Sequence, residues 1–275
     1  MTPVPLLPGL LPGPSGSFGT APEEHIAELL ARPASVHCIH RPIVGLDDGR
    51  CLGYEAAVRI ADTARSSAIP AARRGGLSYQ AAARIGLSGR LGAVALAAAL
   101  RERATMPGER FLLVTLDAEA VAHPDVVAVL DDEDDVADLT LAMSCTDLLP
   151  GHRAEPVLAD LRTRGMHLAM SAGSAGLADL LTLERLHPDL ITVPVGLVRD
   201  VHRHRVRQRL VDVVVELADN TGAATLAEDV ESLDETQTLR SLGVRMAYGW
   251  LFGRARPGFP PPPTEVCEWL RLQQH

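Results

Sequence analysis

Gly53-Tyr54-Glu55-Ala56-Ala57-Val58-Arg59 is the stretch on which the reading of this chain turns. Pro42-Ile43-Val44 precedes it, with the turn signal Asp47-Asp48-Gly49 and a short apolar run from Cys51 in between. Two apolar runs joined by Asp-Asp-Gly predict a β-hairpin. Side chains alternate along a strand, so residues 55, 57 and 59 share one face. Glu55 and Arg59 are therefore expected to point the same way at the C-terminal end of a strand. The pair has two readings. It is an ion pair tying the strand to a neighbour, or it is an anion site in which Arg59 holds phosphate and Glu55 holds a metal.

Beyond the hairpin, residues 61 to 76 read as a loop. Ser78 is placed to cap an Ala-rich helix running to about Arg103, with a break at Gly86 or Gly89. Phe111 to Leu116 reads as a strand and Ala118 to Leu130 as mostly helical. A strand-then-helix rhythm follows. Strands are expected at Leu139–Met143, Met166–Met170, Leu190–Val193, Ala224–Ala227 and Arg245–Ala247, with helices at Arg153–Arg164, Leu177–Leu186, Val198–Asn220 and Leu233–Leu242. Alternating units of this size imply parallel strands covered by helices. Their number suits an α/β fold of the closed (β/α)8 TIM-like type, a single domain whose sites lie at the C-terminal strand ends. An open doubly wound sheet is the alternative, but no Gly-x-Gly-x-x-Gly turn supports a dinucleotide fold.

The flanks differ in composition. Residues 1–21 carry five prolines with Gly and Ser between, which predicts a flexible tail. A short helix is expected from Pro22 to Ala31. The barrel is expected over 22–256, and 257–275 is read as a proline-rich linker with a C-terminal helix capped by Thr264. The run Asp131-Asp132-Glu133-Asp134-Asp135 is read as a solvated turn, because adjacent carboxylates repel and converge on nothing.

Composition removes several classes of function. The 26 basic residues are all Arg, so no Lys can serve as a base or form a Schiff base. A net charge of −9 argues against a general nucleic-acid binder. The one basic cluster, Arg199 to Arg209, has no interleaved aromatics, so RNA binding is not expected and a solvated helix face is. His202 and His204 stand two apart and do not face each other on a helix, which argues against a metal pair. The four Cys are scattered and fit reduced thiols. The longest apolar run, Leu91 to Leu100, is too short to span a membrane, and the N-terminus lacks a secretory pattern. These features predict a cytoplasmic protein without membrane contact.

His40-Arg41-Pro42-Ile43-Val44, then Gly53-Tyr54-Glu55-Ala56, then Arg59 resembles the start of an EAL domain, a family that hydrolyses the bacterial second messenger cyclic di-GMP. The family spells this Gln-Pro-Ile-Val and Gly-Tyr-Glu-Ala-Leu-x-Arg, so Arg41 replaces a Gln and Ala57 a Leu. The resemblance runs from about residue 25 to 256. Leu226-Ala227-Glu228-Asp229-Val230-Glu231 is similar to Ala-Glu-Gly-Val-Glu with one change, and Leu242 to Leu251 is similar to the segment that holds Gln-Gly-Tyr.

The resemblance implies two divalent cations, Mg or Mn, held by Glu, Asn, Glu and paired Asp at strand ends, with an assisting Lys. In this chain Glu55 fills the first such position. Thr115 stands for the Asn, Ala142 for the second Glu, Ser171 and Ala172 for the paired Asp, Thr192 for the Lys and Tyr248 for the Gln. Glu228 and Glu231 are retained. Two carboxylates cannot neutralise and orient two divalent ions. The implied protein is a degenerate EAL domain, not a working phosphodiesterase, with no catalytic residues and no bound metal. It would act in cyclic di-GMP signalling through a protein partner. The alternatives are a non-hydrolytic cyclic di-GMP receptor and a residual phosphodiesterase. Homodimers are common in the family.

Arg41, Glu55, Arg59, Glu228 and Glu231 form the expected ligand-binding or vestigial set. Glu228 or Glu231 is expected to pair with Arg41 or Arg59 and close the site. Ser171-Ala172-Gly173-Ser174-Ala175-Gly176 reads either as a phosphate-binding backbone nest or as an eroded loop.

Overall fold

A computed structural model describes residues 36–60, 84–171 and 176–273, with residues 26, 30, 31 and 82 besides. The expected 1–21 tail, the loop at 61–76 and the Ser78 cap lie outside the described residues, as does most of the expected 22–31 helix.

Eight strands close into a barrel in chain order, which excludes the open sheet. They are β1 (Val36–Gly45), β2 (Cys51–Ile60), β3 (Phe111–Thr115), β4 (Leu139–Ser144), β5 (His167–Ser171), β6 (Leu190–Val193), β7 (Ala224–Ala227) and β8 (Met246–Ala247). β1 runs antiparallel to both β2 and β8, while β2 to β8 pair in parallel. The hairpin predicted around Asp47-Asp48-Gly49 forms, and Gly49 takes φ +66° in its turn. A side chain there would be strained, and its Cβ would lie 2.5 Å from the Cys267 carbonyl oxygen.

The helices are α1 (Ser88–Arg103), α2 (Ala118–Val121), α3 (Pro124–Asp131), α4 (Ala154–Thr163), α5 (Leu177–Leu186), α6 (Val195–Val198), α7 (Arg205–Thr221), α8 (Leu233–Ser241) and α9 (Thr264–Leu272). Two expected helices are divided. Pro124 cannot continue α2, and it opens α3 behind a His123 cap. The 198–220 helix is replaced by α6, a 3-10 turn at Val201–Arg203, and α7. Asp200, at φ +52°, makes the bend between α6 and that turn. Thr264 does not cap α9. It is the first helical residue behind Pro263, and no side chain caps that end. Among the described residues no helix is long and apolar enough to cross a membrane.

Two apolar layers hold the barrel. One lies between strands and helices and includes Leu112, Val114, Leu139, Leu141, Ile191 and Val193. The other fills the interior with Ile43, Leu113, Ala142, Ala169, Leu190, Leu226 and Met246. Alternation puts successive residues into opposite layers, which is why the parallel strands read as nearly continuous apolar runs. The segment expected as a linker packs back on the hairpin. Phe259 lies 4.1 Å from the His40 ring and 5.0 Å from Tyr54. The His40 Nδ1 meets the Gly258 carbonyl oxygen at 2.8 Å.

Candidate functional site

The interior apolar layer fixes which residues line the mouth of the barrel, because inward-facing positions repeat every second residue. Two beyond each layer residue stand Thr115 on β3, Ser144 on β4, Ser171 on β5, Thr192 on β6, Glu228 after β7 and Tyr248 after β8. β1 is antiparallel, so its mouth residue comes two before Ile43 and is Arg41. Register sets Arg41 directly opposite Glu55 on β2.

Arg41 organises one side of this mouth. Its Nε donates to Glu55 Oε2 at 2.9 Å and its Nη2 to Glu55 Oε1 at 3.0 Å, a two-pronged pair between buried side chains. Its Nη1 donates to Asp229 Oδ1. Its guanidinium carbon lies 4.6 Å from the Tyr248 ring centre, over the ring face. Burial disfavours the Arg41 charge, but Glu55 first, with Tyr248 and Asp229, more than offsets this, so its affinity for a proton is raised.

Asp229 is the residue that sequence reasoning left out. It stands where the family spelling has Gly, and it adopts φ +53°, the left-handed conformation that glycine supplies without cost. Asp is among the few other residues that tolerate it. The change from Gly brings a carboxylate to Arg41, itself a change from Gln. Two departures of opposite charge in one motif set were the signal that could have found the pair.

Of the two expected arginine partners of the retained acids, only Arg41 has a described side chain. Neither Glu228 nor Glu231 bonds Arg41. Glu231 pairs with Arg199, whose Nη2 donates to Oε1 at 2.7 Å. Glu228 stands in the mouth with its pKa pushed up to about 7. Burial is the main cause. Thr192 counteracts it, while the carboxylates of Asp229 and Glu55 add to it. Tyr248 rises well above its ordinary value through burial and the nearby carboxylates of Glu228 and Glu55. The loop after β7 is held by Glu235, whose carboxylate accepts from the backbone N–H groups of Asp200, Glu231 and Ser232.

Glu55 takes a partner across the hairpin, Arg41. Four strand residues span about 13 Å, so a shared face does not bring 55 and 59 into contact, whereas directly opposed residues are about 5 Å apart. Arg59 pairs with His37 in the strand register, and its side chain lies outside the described residues. Ala172 and most of the 171–176 segment also lie outside them.

Among the described residues, the donors at the implied positions are a poor match for two divalent ions. Both Glu55 oxygens accept from Arg41, so a cation there must displace a buried guanidinium. Ala142 offers only a methyl group, and Thr115, Ser171 and Thr192 offer neutral hydroxyls. The basic 199–209 cluster is partly consumed within the fold. Arg199 holds Glu231, Arg207 donates to the Arg199 carbonyl, and Arg209 pairs with Asp212.

The model of the EAL domain matches residues 32–255 of this sequence. The chain belongs to the EAL domain family. Among curated relatives, an uncharacterized protein of Azorhizobium caulinodans is 28% identical over 86% of this chain and 34% of its own length. The blue light- and temperature-regulated antirepressor BluF of Escherichia coli K12 is 26% identical over 80% of this chain and 54% of its own length. The chain thus spans about a third to a half of these relatives. Among solved structures, the EAL fold matches Klebsiella pneumoniae BlrP1, in a calcium and cyclic di-GMP complex, with a TM-score of 0.70 and 27% identity. That match covers 84% of this chain and 58% of BlrP1.

Proposed function

We propose that this chain is a regulatory EAL module that takes part in cyclic di-GMP signalling without hydrolysing the nucleotide. The observation that carries the reading is the Arg41 fork on Glu55, which commits the first family metal ligand to a guanidinium. Ala142 and Ser171 in place of acids support it, since these strand positions supply no carboxylate to gather a cation. Output then passes through a protein partner. The relative BluF, described as an antirepressor, supports a regulatory output for this barrel.

A second reading, a receptor that binds cyclic di-GMP, is favoured by the likeness to BlrP1, whose structure contains that nucleotide. Calorimetric titration with cyclic di-GMP, run with excess magnesium and again with chelator, separates the readings. Equal binding in both buffers identifies a metal-free receptor. No heat in either supports a scaffold that acts through its partner alone. Binding only with magnesium contradicts the proposal.

A further inference from the structure

One cavity lies at the opposite end of the barrel from the mouth. It has a volume of about 600 Å³ and is lined by Arg50, Arg110, Arg271, Glu109, Pro262 and Thr264 among others. Its walls are the β1–β2 turn, the residues entering β3, and the start of α9. That is the end where β2 and β3 begin, so it is the N-terminal face of the strands.

Three guanidiniums meet there in a protein of net charge −9. Two are anchored by their Nε atoms, which directs their remaining N–H groups. Arg110 Nε donates to the Cys51 carbonyl at 3.2 Å, and Arg271 Nε to the Asp48 carbonyl at 3.1 Å. Arg110 Nη1 also donates to the Pro107 carbonyl. Among the described residues, Arg110 Nη2 and both Nη atoms of Arg271 make no hydrogen bond. Arg50 has a side chain 75% exposed, with Asp48 3.9 Å from its Nε. Glu109 is the acid in the lining, so the balance of the walls is two positive charges.

The start of α9 adds donors. No side chain caps this helix, and Pro262 and Thr264, on either side of its N-cap, line the cavity. The start of the helix therefore lines the same cavity as the three guanidiniums. An uncapped helix end and a fork of arginines both favour a compact anion, and tetrahedral oxygens suit both. The turn cannot drift away from the helix, because Gly49 packs against the Cys267 backbone.

We propose that this cavity is a binding site for a small phosphate monoester dianion, separate from the barrel mouth. Its charge matches the two net positive charges of the lining, and the volume lies within the range of small-molecule sites. The site stands on its own residues and is independent of whether the mouth hydrolyses, binds or ignores cyclic di-GMP.

The test is calorimetric titration of the full chain at low ionic strength with inorganic phosphate and with glycerol phosphate as the monoester. Saturable binding of both is expected, weakening as salt is raised. Arg50→Ala with Arg271→Ala should weaken it about tenfold or more, because two charge-assisted contacts are lost. Arg209→Ala, on the exposed face of α7, should leave it unchanged. Glu109→Gln should tighten it, a gain that damage to the fold cannot mimic. Absence of saturable binding, equal weakening by Arg209→Ala, or no gain with Glu109→Gln overturns the proposal.

Discussion

The two sides of the barrel mouth have been treated differently. β1, β2 and the ends of β7 and β8 keep a dense charged cluster of Arg41, Glu55, Glu228, Asp229 and Tyr248. β3 to β6 present Thr115, Ala142, Ser171 and Thr192, which carry no charge. The charged side persists because its members satisfy one another. A buried charge survives only with partners, and Arg41 supplies them to Glu55 and Asp229. On the other side the strand positions carry no acid, and Ala142 simply joins the interior apolar layer. A site built around cations needs both sides. One built around an internal guanidinium needs only the first.

The contrast is most exposed to a cut on the charged side. Glu55→Ala leaves the Arg41 guanidinium buried with Asp229 as its remaining acid, and a loss of about 3 kcal/mol is expected. Urea denaturation reads this directly. A loss under about 1 kcal/mol would mean that the pair is not an energetic centre.

The next largest effect is a dependence on pH. Glu228 holds its proton up to about 7, while the unfolded chain releases it near the ordinary value of 4.5. Between these limits the folded chain binds more protons. The stability from this group is therefore complete below about 4.5 and is lost as pH rises through about 7. Going from pH 5 to pH 8, the native chain should lose about 2 kcal/mol relative to Glu228→Gln. Parallel slopes for the two proteins would show that Glu228 is ionised throughout.

A smaller effect tests whether Arg41 and Asp229 belong together. Asp229→Gly relieves a left-handed backbone but removes an ion pair, and Arg41→Gln removes the same pair. A double-mutant cycle should show a coupling of about 1 kcal/mol. A coupling near zero would make the two departures from the family spelling independent.

The smallest effect belongs to the uncharged side. Thr115 is exposed at the end of β3, so Thr115→Asn should change stability by no more than about 0.5 kcal/mol. A larger change would mean that this side also carries the fold.

The barrel was legible in the sequence because each strand is a short apolar run followed by a helical stretch, and because Asp47-Asp48-Gly49 announces the hairpin. What escaped is what depends on three-dimensional reach. Glu55 and Arg59 share a face, but the partner lies across the hairpin at Arg41, and register rather than alternation decides that. Asp229 looked like a neutral change in Ala227-Glu228-Asp229-Val230, because a backbone angle of φ +53° cannot be read from residue type. Thr264 looked like a cap, yet the helix starts on it, one residue after Pro263. The cavity at the base joins residues 50, 110 and 271, too far apart in sequence for any local pattern to unite.

The central claim is that Arg41 has taken the place of the cations. Incubation of the purified chain with cyclic di-GMP and excess manganese or magnesium, followed by chromatographic separation of the nucleotides, tests it most directly. The account predicts that cyclic di-GMP is recovered intact in both metals. Metal-dependent turnover that disappears with Glu55→Gln would contradict it, because Glu55 would then be holding a metal rather than Arg41.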